Sequence, residues 1–458
     1  MLILFCLRDL VGKVEIMKRI YGIFFLIFLL LLTGCENNEK AQYYIQKEDA
    51  VADGTVTLEV FAWEDEEENL RILSEAFMKE NADISINMNI LPVSEYSQQM
   101  MGIKKGMQTG DVVLFSNISE PVVWIEKDVL QDLAPWLENT EECYETWYQG
   151  EDEKYISYMR PYRKSKWAVY YNKDLFDQRG IPYPQSGWTW SDYAQTAERL
   201  TGQVGLNRIY GSLSYAPDNK WWRVPARTAG ANNPLNEKEL QLFMEAAKWC
   251  YELTYDLKAQ VPYKDRTGNS GISGEEIFLE GNTGMFFSGD WSAAILNELI
   301  LEKKLDISYD IAPMPRWEEE PFYSISDAAV VAMTASTAHK DEAYAFIQFI
   351  AGAEGAALLA QRGYIPAWNS EEIRKLYLDS MTQPEHLEYF FVEGEVSSVP
   401  ANMGYAEAID IMEDEIAFYL LQEQDLQKCM DNIRAALKFP DTQECNTQEC
   451  NTQECMDE

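Results

Sequence analysis

Histidine is nearly absent from the chain: His339 and His386 are the only two in 458 residues. They lie far apart in sequence, which makes a histidine-rich metal site or a Ser-His-Asp apparatus hard to build. No glycine-rich phosphate loop occurs either. No cofactor, no metal and no catalytic residue are therefore expected. Basic charge is scarce as well, with 38 Lys and Arg against 76 Asp and Glu and a net charge of −38. A chain of that sign lacks the footprint that nucleic acid or an anionic surface requires, and most of the acid reads as solvated face. The eight cysteines form no disulfide framework. Cys143, Cys250 and Cys429 are scattered, while Cys445, Cys450 and Cys455 belong to a Thr-Gln-Glu-Cys-Asn repeat. That spacing is not a zinc spacing, and 441–458 reads as a disordered repeat tail. Enzymes that work with two carboxylates stay open, because acids are everywhere and no spacing excludes them.

Long hydrophobic runs are also lacking. The uncharged stretch from Ile20 to Leu32 falls short of the roughly 20 residues that span a bilayer. Lys18 and Arg19 precede it and Leu32-Thr33-Gly34-Cys35 follows, which are the basic, apolar and small-residue parts of an export signal. The tetrapeptide resembles the bacterial lipobox. That resemblance implies diacylation of the Cys35 thiol and cleavage just before it. Residues 1–34 are thus expected to be a signal peptide, with translation starting at Met17. Residues 35–54 are expected to be a lipidated N-terminus and flexible leash. Two acyl chains on Cys35 suffice for stable anchoring, which places the protein at the extracytoplasmic face of the cell membrane.

What remains is rich in core-forming residues, at 47% hydrophobic and 13% aromatic, and too long for one core. Val56, Leu58, Val60 and Ala62 alternate with other residues and predict a strand over 55–63. Leu70, Leu73 and Phe77 recur at helical spacing, and Ile84, Ile86, Met88 and Ile90 alternate again. A helix between two strands predicts a βαβ unit with a parallel sheet. A helix over Tyr96–Gln108 and a strand over Asp111–Phe115 follow. Later strands are expected at Trp167–Tyr171, Met285–Phe287, Asp310–Ala312 and Ala328–Met333. Thr189 is a candidate N-cap, 237–257 reads as an amphipathic helix, and helical patterns recur at His339–Ile350, Ala353–Arg362, Tyr405–Gln422 and Asp425–Lys438. The class is α/β, in which ligands sit outside the carboxyl ends of strands.

The order of five segments resembles the extracellular solute-binding proteins of the maltose-binding type, which feed ABC sugar importers. They are VTLEVFAWEDEEENLRILSEAFMKEN (56–81), TGDVVLFSN (109–117), WAVYYNKDLFDQRGIPYPQSGWTWSDYAQTAERL (167–200), EIFLEGNTGMFFSGDW (276–291), and AAVVAMTASTAHKDEAYAFIQFIAG with RGYIPAW (328–368). The resemblance implies two α/β lobes closing on ligand about a hinge. Lobe I would comprise 55–163 and 328–368, lobe II 164–327 and 369–440. Crossings are expected near Arg163–Trp167, near Tyr323–Asp327 and after Pro366.

Sugars present apolar C–H faces and hydroxyl edges, so a site for them needs flat aromatic platforms and convergent hydrogen-bonding groups. Matching the family's motif positions, Trp291 is the candidate stacking platform and Asp290 beside it an acceptor. Trp63 and Asp65 leave the first strand, and Asn117 the third. Tyr162 stands at the hinge, Trp221 or Trp222 would close from lobe II, and Trp368 and Tyr405 complete the aromatic set. Asp327 departs from the small residues usual in that stretch, as an unusual ligand contact or a hinge hydrogen bond. Trp188 and Trp190 read as packing of a helix start, and Glu64 and Glu66 to Glu68 as solvated cap charges. The function implied is a monomeric, non-catalytic receptor that captures a carbohydrate, an oligosaccharide above all, for the permease subunits of an ABC importer. The alternatives are a binder of a cation such as a polyamine, which Asp65, Asp290 and Asp327 would suit, and an exported carboxylate-dependent glycosidase.

Overall fold

A computed structural model describes residues 55–439, apart from the short stretches 93–94, 138–142, 145–146, 149–152, 205–206, 214–218, 263, 265–272 and 392–393. The signal segment, Cys35, the leash and the repeat tail lie outside the described residues.

Ten strands form one mixed sheet: β1 (Val56–Trp63), β2 (Ile84–Leu91), β3 (Val112–Phe115), β4 (Met159–Asn172), β5 (Gly202–Val204), β6 (Asn207–Leu213), β7 (Thr283–Gly289), β8 (Tyr309–Pro313), β9 (Tyr323–Met333) and β10 (Glu395–Ser397). The order is β2-β1-β3-β9-β4-β7-β6-β5, with β8 on β4 and β10 on β9. β1 runs parallel to β2 and β3, and β6 parallel to β7. Each half of the sheet carries its own cores. Leu58, Val60, Val331 and Met333 pack under the helices Glu67–Glu80 and Lys340–Ala351, while Phe61, Val113 and Val330 pack on the opposite face. Beyond them, Val169, Met285 and Phe287 meet Trp190, Trp222 and Phe243, while Tyr170, Phe286 and Ile311 meet Ile373, Tyr377 and Phe390. A sheet covered on both faces needs continuous apolar runs, and β3 and β7 are buried along their whole length.

β4 was legible only in its second half. It begins at Met159 rather than Trp167, and residues 159–166 pair antiparallel with β9 before 167–172 pair with β7 and β8. The unread half carries Arg160, Arg163, Lys164 and Lys166, a composition that does not suggest an interior strand. A third segment runs beside it, since Lys164 donates its backbone N–H to Ile365 and Ala367 donates to Tyr162. The register therefore puts the carboxyl end of β3 (Phe115 opposite Val330, itself opposite Pro161) and that of β7 (Gly289 opposite Trp167) on one short stretch of β4. The carboxyl edges of both half-sheets converge there.

Local signals place the second half. Thr189 caps the helix Trp190–Leu200 and closes a capping box with Asp192. That helix lies directly on β6 at Gly211, where an added Cβ would stand 1.8 Å from the Ala197 carbonyl oxygen. The segment around cis-proline Pro384 is stapled to β8 by Asp310, which accepts from the His386 backbone N–H at 3.2 Å and lies 2.6 Å from His386 Nδ1.

Two outcomes follow. Gly211→Ala is expected to lower unfolding stability by about 2–3 kcal/mol, because the clash is with backbone and no rotamer relieves it, measured as a shift in denaturant midpoint. The hydrogen bond to Asp310 raises the His386 pKa above its ordinary value, so its contribution is fully present below the unfolded value and fades as pH rises through the raised one. The difference in melting temperature between wild type and His386→Ala should accordingly narrow from about pH 6 to about pH 9.

Candidate functional site

The candidate residues fall into two groups and one outlier around the converging edges. In the first group Trp63 ends β1 at 8% exposure, and Tyr162 is buried in the same hydrophobic cluster, against which Trp291 packs. Trp291 opens the helix Trp291–Lys303 and meets Trp167 edge to face, ring centroids 5.4 Å apart and planes at 90°. Its ring folds back over Gly289, where a Cβ would lie 1.7 Å from it. Only glycine leaves that space, which gives the Gly-Asp-Trp order a steric reason. Asp65 is exposed in the short turn Glu64–Glu66.

Asp290 is not a free acceptor. It is 1% exposed, and its two oxygens accept the backbone N–H groups of Lys166 at 3.1 Å and Ile365 at 3.0 Å. It thus ties Lys166 of β4 to Ile365 in the segment that runs beside it. Burial pushes its carboxyl up to about 6, against the opposing pull of Arg163 and the N–H donors. Glu66, read from sequence as a solvated cap charge, is fully buried and stands 3.3 Å from Arg163 Nη1. Arg163 in turn lies over the Tyr364 ring, 5.0 Å from its centroid.

Asn117 builds its own turn. Its side-chain carbonyl accepts from the N–H and hydroxyl of Ser119, and its amide donates to Glu120 at 2.7 Å. The neighbouring Ser116 is the exposed polar group at this strand end.

The second group surrounds the other crossing. Asp327, on β9 opposite Ser165, receives both arms of the Arg227 guanidinium at 2.8 Å and the Val399 N–H at 2.9 Å. Burial pushes its carboxyl up, but the ion pair and hydrogen bonds outweigh that and hold it below the ordinary value. Asp327 is thus engaged by protein groups on both of its carboxylate oxygens. Tyr405 is 4% exposed and its hydroxyl accepts from Arg223 at 3.1 Å. Trp221 and Trp222, expected to close over ligand, are 3% and 0% exposed, and neither indole N–H has an acceptor among the described residues. Trp368 joins neither group. It packs edge-on against Tyr144 at 5.8 Å and lines a groove with Lys164, Lys166, Arg374 and Phe391.

Sequence reasoning missed Glu66, Arg163, Arg227 and Trp167. A basic stretch, Arg160 to Lys166, inside so acidic a chain was the available signal that buried carboxylates wait for it. Among the described residues only Asp310, Glu385 and His386 are spaced to hold a metal, within 4.8 Å of one another. The Asp310 oxygens there already take the His386 and Ile311 backbone N–H groups and face His386 Nδ1, which is the arrangement of an ion-pair staple.

The comparisons agree with this architecture. Residues 62–357 match the model of the bacterial extracellular solute-binding proteins. Curated putative binding proteins of Brucella abortus and Brucella suis are 23% identical over 322 residues, 67% of this chain and 74% of theirs. An ABC substrate-binding protein of Listeria monocytogenes, solved in complex with cycloalternan, superposes with a TM-score of 0.71 at 20% identity, covering 84% of this chain and 100% of that one. A sugar transporter protein of Rhizobium etli in an open conformation gives 0.67 at 20% identity over 84% and 100%. A solute-binding protein of Thermotoga lettingae bound with α-D-tagatose gives 0.68 at 14% identity over 84% and 99%. At these identities the structural likenesses speak for the fold, a two-lobed α/β architecture with its sheet halves joined at a hinge. The family model covers well over half the chain, and the protein belongs to the bacterial extracellular solute-binding protein family.

Proposed function

We propose that the chain captures a carbohydrate, in particular an oligosaccharide, between its lobes and delivers it to the permease of an ABC importer. The observation that carries this reading is the half-buried Trp291 at the convergence of the carboxyl edges, braced edge-on by Trp167 and given room by Gly289. An aromatic held that way offers a rigid platform for the C–H face of a sugar at little entropic cost. Trp63, Asp65 and Ser116 lie at the strand ends of the opposite half and supply a second wall. Structural relatives solved with cycloalternan, mannotriose or acarbose support the oligosaccharide reading, and one solved with α-D-tagatose extends the carbohydrate class to a monosaccharide.

A cationic ligand is the weaker reading. Asp327 is paired with Arg227, and Asp290 is filled by N–H donors beside Arg163, which leaves Asp65 alone of the three acids. A glycosidase needs one carboxylate beside the bond and another across from it, and the buried Glu66 and Asp290 are committed to the hinge. The family is one of binding proteins, and in our reading this member turns nothing over. The lobes divide as 55–163 with 328–368 and 164–327 with 369–440. Cys35 carries the lipid that keeps a monomeric receptor beside its permease.

Titration calorimetry against a panel of oligosaccharides, with spermidine as a second arm, tests the ligand class. Trp291→Ala should weaken binding of the sugar that titrates by about tenfold or more while melting remains cooperative. Unchanged affinity, binding of spermidine alone, or release of reducing ends from the glycans would sink the proposal. Metabolic labelling with palmitate, lost in Cys35→Ala, tests the anchor.

A further inference from the structure

Glu66, Arg163 and Asp290 make a buried row from one half of the fold to the other. Glu66 follows β1, Arg163 sits on β4, and Asp290 ends β7. Their exposures are 0%, 8% and 1%. Glu66 is the acid in contact with Arg163, whose charge also acts on Asp290, so two buried carboxylates draw on one buried guanidinium and the row carries one negative charge too many. The fit is poor on the Glu66 side: the ion pair is 3.3 Å long, and among the described residues neither Glu66 Oε2 nor Arg163 Nε has a partner in good hydrogen-bond geometry, with the Tyr162 hydroxyl the nearest polar neighbour acting on Glu66. An uncompensated buried charge costs several kcal/mol in general, and a proton is its cheapest counter-charge.

We propose that this row is a proton-operated latch, in which uptake of one proton from solvent by the Asp290 carboxylate loosens its hold on Lys166 of β4 and on Ile365 of the segment beside it. The bookkeeping is simple. As a carboxylate, Asp290 accepts the Lys166 N–H on Oδ1 and the Ile365 N–H on Oδ2. Once one oxygen carries a proton it is a donor and a much weaker acceptor than the carboxylate was, so the hold on the N–H facing it weakens. Arg163 then serves Glu66 alone, and the charge excess disappears.

Titratable groups face the row from each element packed on it, including the buried Glu275 of the helix Gly274–Leu279, whose carboxylate accepts from the Ser292 hydroxyl. Facing the row are Asp65 from the turn of Glu66, Tyr96 from the helix Tyr96–Lys104, Tyr162 and Tyr170 from β4, Tyr364 from the third crossing and Tyr377 from the helix Glu371–Leu378. Burial pushes all five phenols above their ordinary value, so they stay neutral. Burial also raises Glu66, and it brings Asp290 to about 6. The sign follows: the fastening is complete above that value and weakens as pH falls through it.

Hydrogen exchange of the full chain, corrected for the intrinsic pH dependence of amides, should show protection at Lys166 or Ile365 falling by about tenfold or more between about pH 7.5 and about pH 5. Glu66→Gln removes the competing acid, leaves Arg163 to Asp290, and should move the midpoint down by about one pH unit. Asp290→Asn should abolish the transition. Constant protection in the wild type, or a midpoint that Glu66→Gln leaves in place, overturns the latch. The Glu66→Gln arm decides the matter even where Asp290→Asn fails to fold.

Discussion

A guanidinium keeps its charge in a folded protein, so wherever a chain buries one it must bring acid to it. Arg163 is buried in the strand that both sheet halves share, and much of the central architecture answers to that. Glu66 turns inward from an otherwise exposed acidic turn, and Asp290 reaches in from the far half. Asp290 is at the same time the acceptor that binds two crossing segments together. A charge that had to be satisfied thereby fixes where the polypeptide passes between halves.

Arg227 and Asp327 repeat the device on β9, with a different balance. There one acid meets one base in bidentate geometry, with the Val399 N–H and the Ser397 carbonyl taking up remaining capacity. Matched planar pairs of this kind are the strong ones. The two fastenings are therefore chemically unequal, one balanced and one with acid in excess. The aromatic platform stands beside the unequal one, since Trp291 is the next residue after Asp290. The proposed ligand platform and the Asp290 fastening thus occupy adjacent positions of one chain.

Much of the fold could be read in advance because it is written in local patterns. β1, β2 and the helix Glu67–Glu80 declare themselves by spacing, and Thr189 by its capping box with Asp192. What stayed hidden is non-local. The first half of β4 resembles solvated chain until its charges are matched with Glu66, far back in the sequence, and with Asp290, far ahead. Asp327 stood out as unusual, but its partner Arg227 is 100 residues away and nothing near either names the other. The candidate site was legible to the same degree. Strand ends marked Trp63, Asp65 and Trp291, whereas the engagement of Asp290, Asn117 and Tyr405 with protein groups depends on neighbours that only the fold supplies.

β4 and β9 each send side chains into cores of both halves. Met159 and Tyr162 go to one and Val169 to the other, as do Val331 and Ile325. Neither lobe therefore owns a finished sheet at the hinge. A fragment cut between the two halves of the sheet would leave one side of β4 or β9 as a long unpaired edge, its backbone N–H and C=O groups open to pairing with any other chain. The halves are thus joined by strands that neither can give up, and a piece holding one half alone would be prone to aggregate.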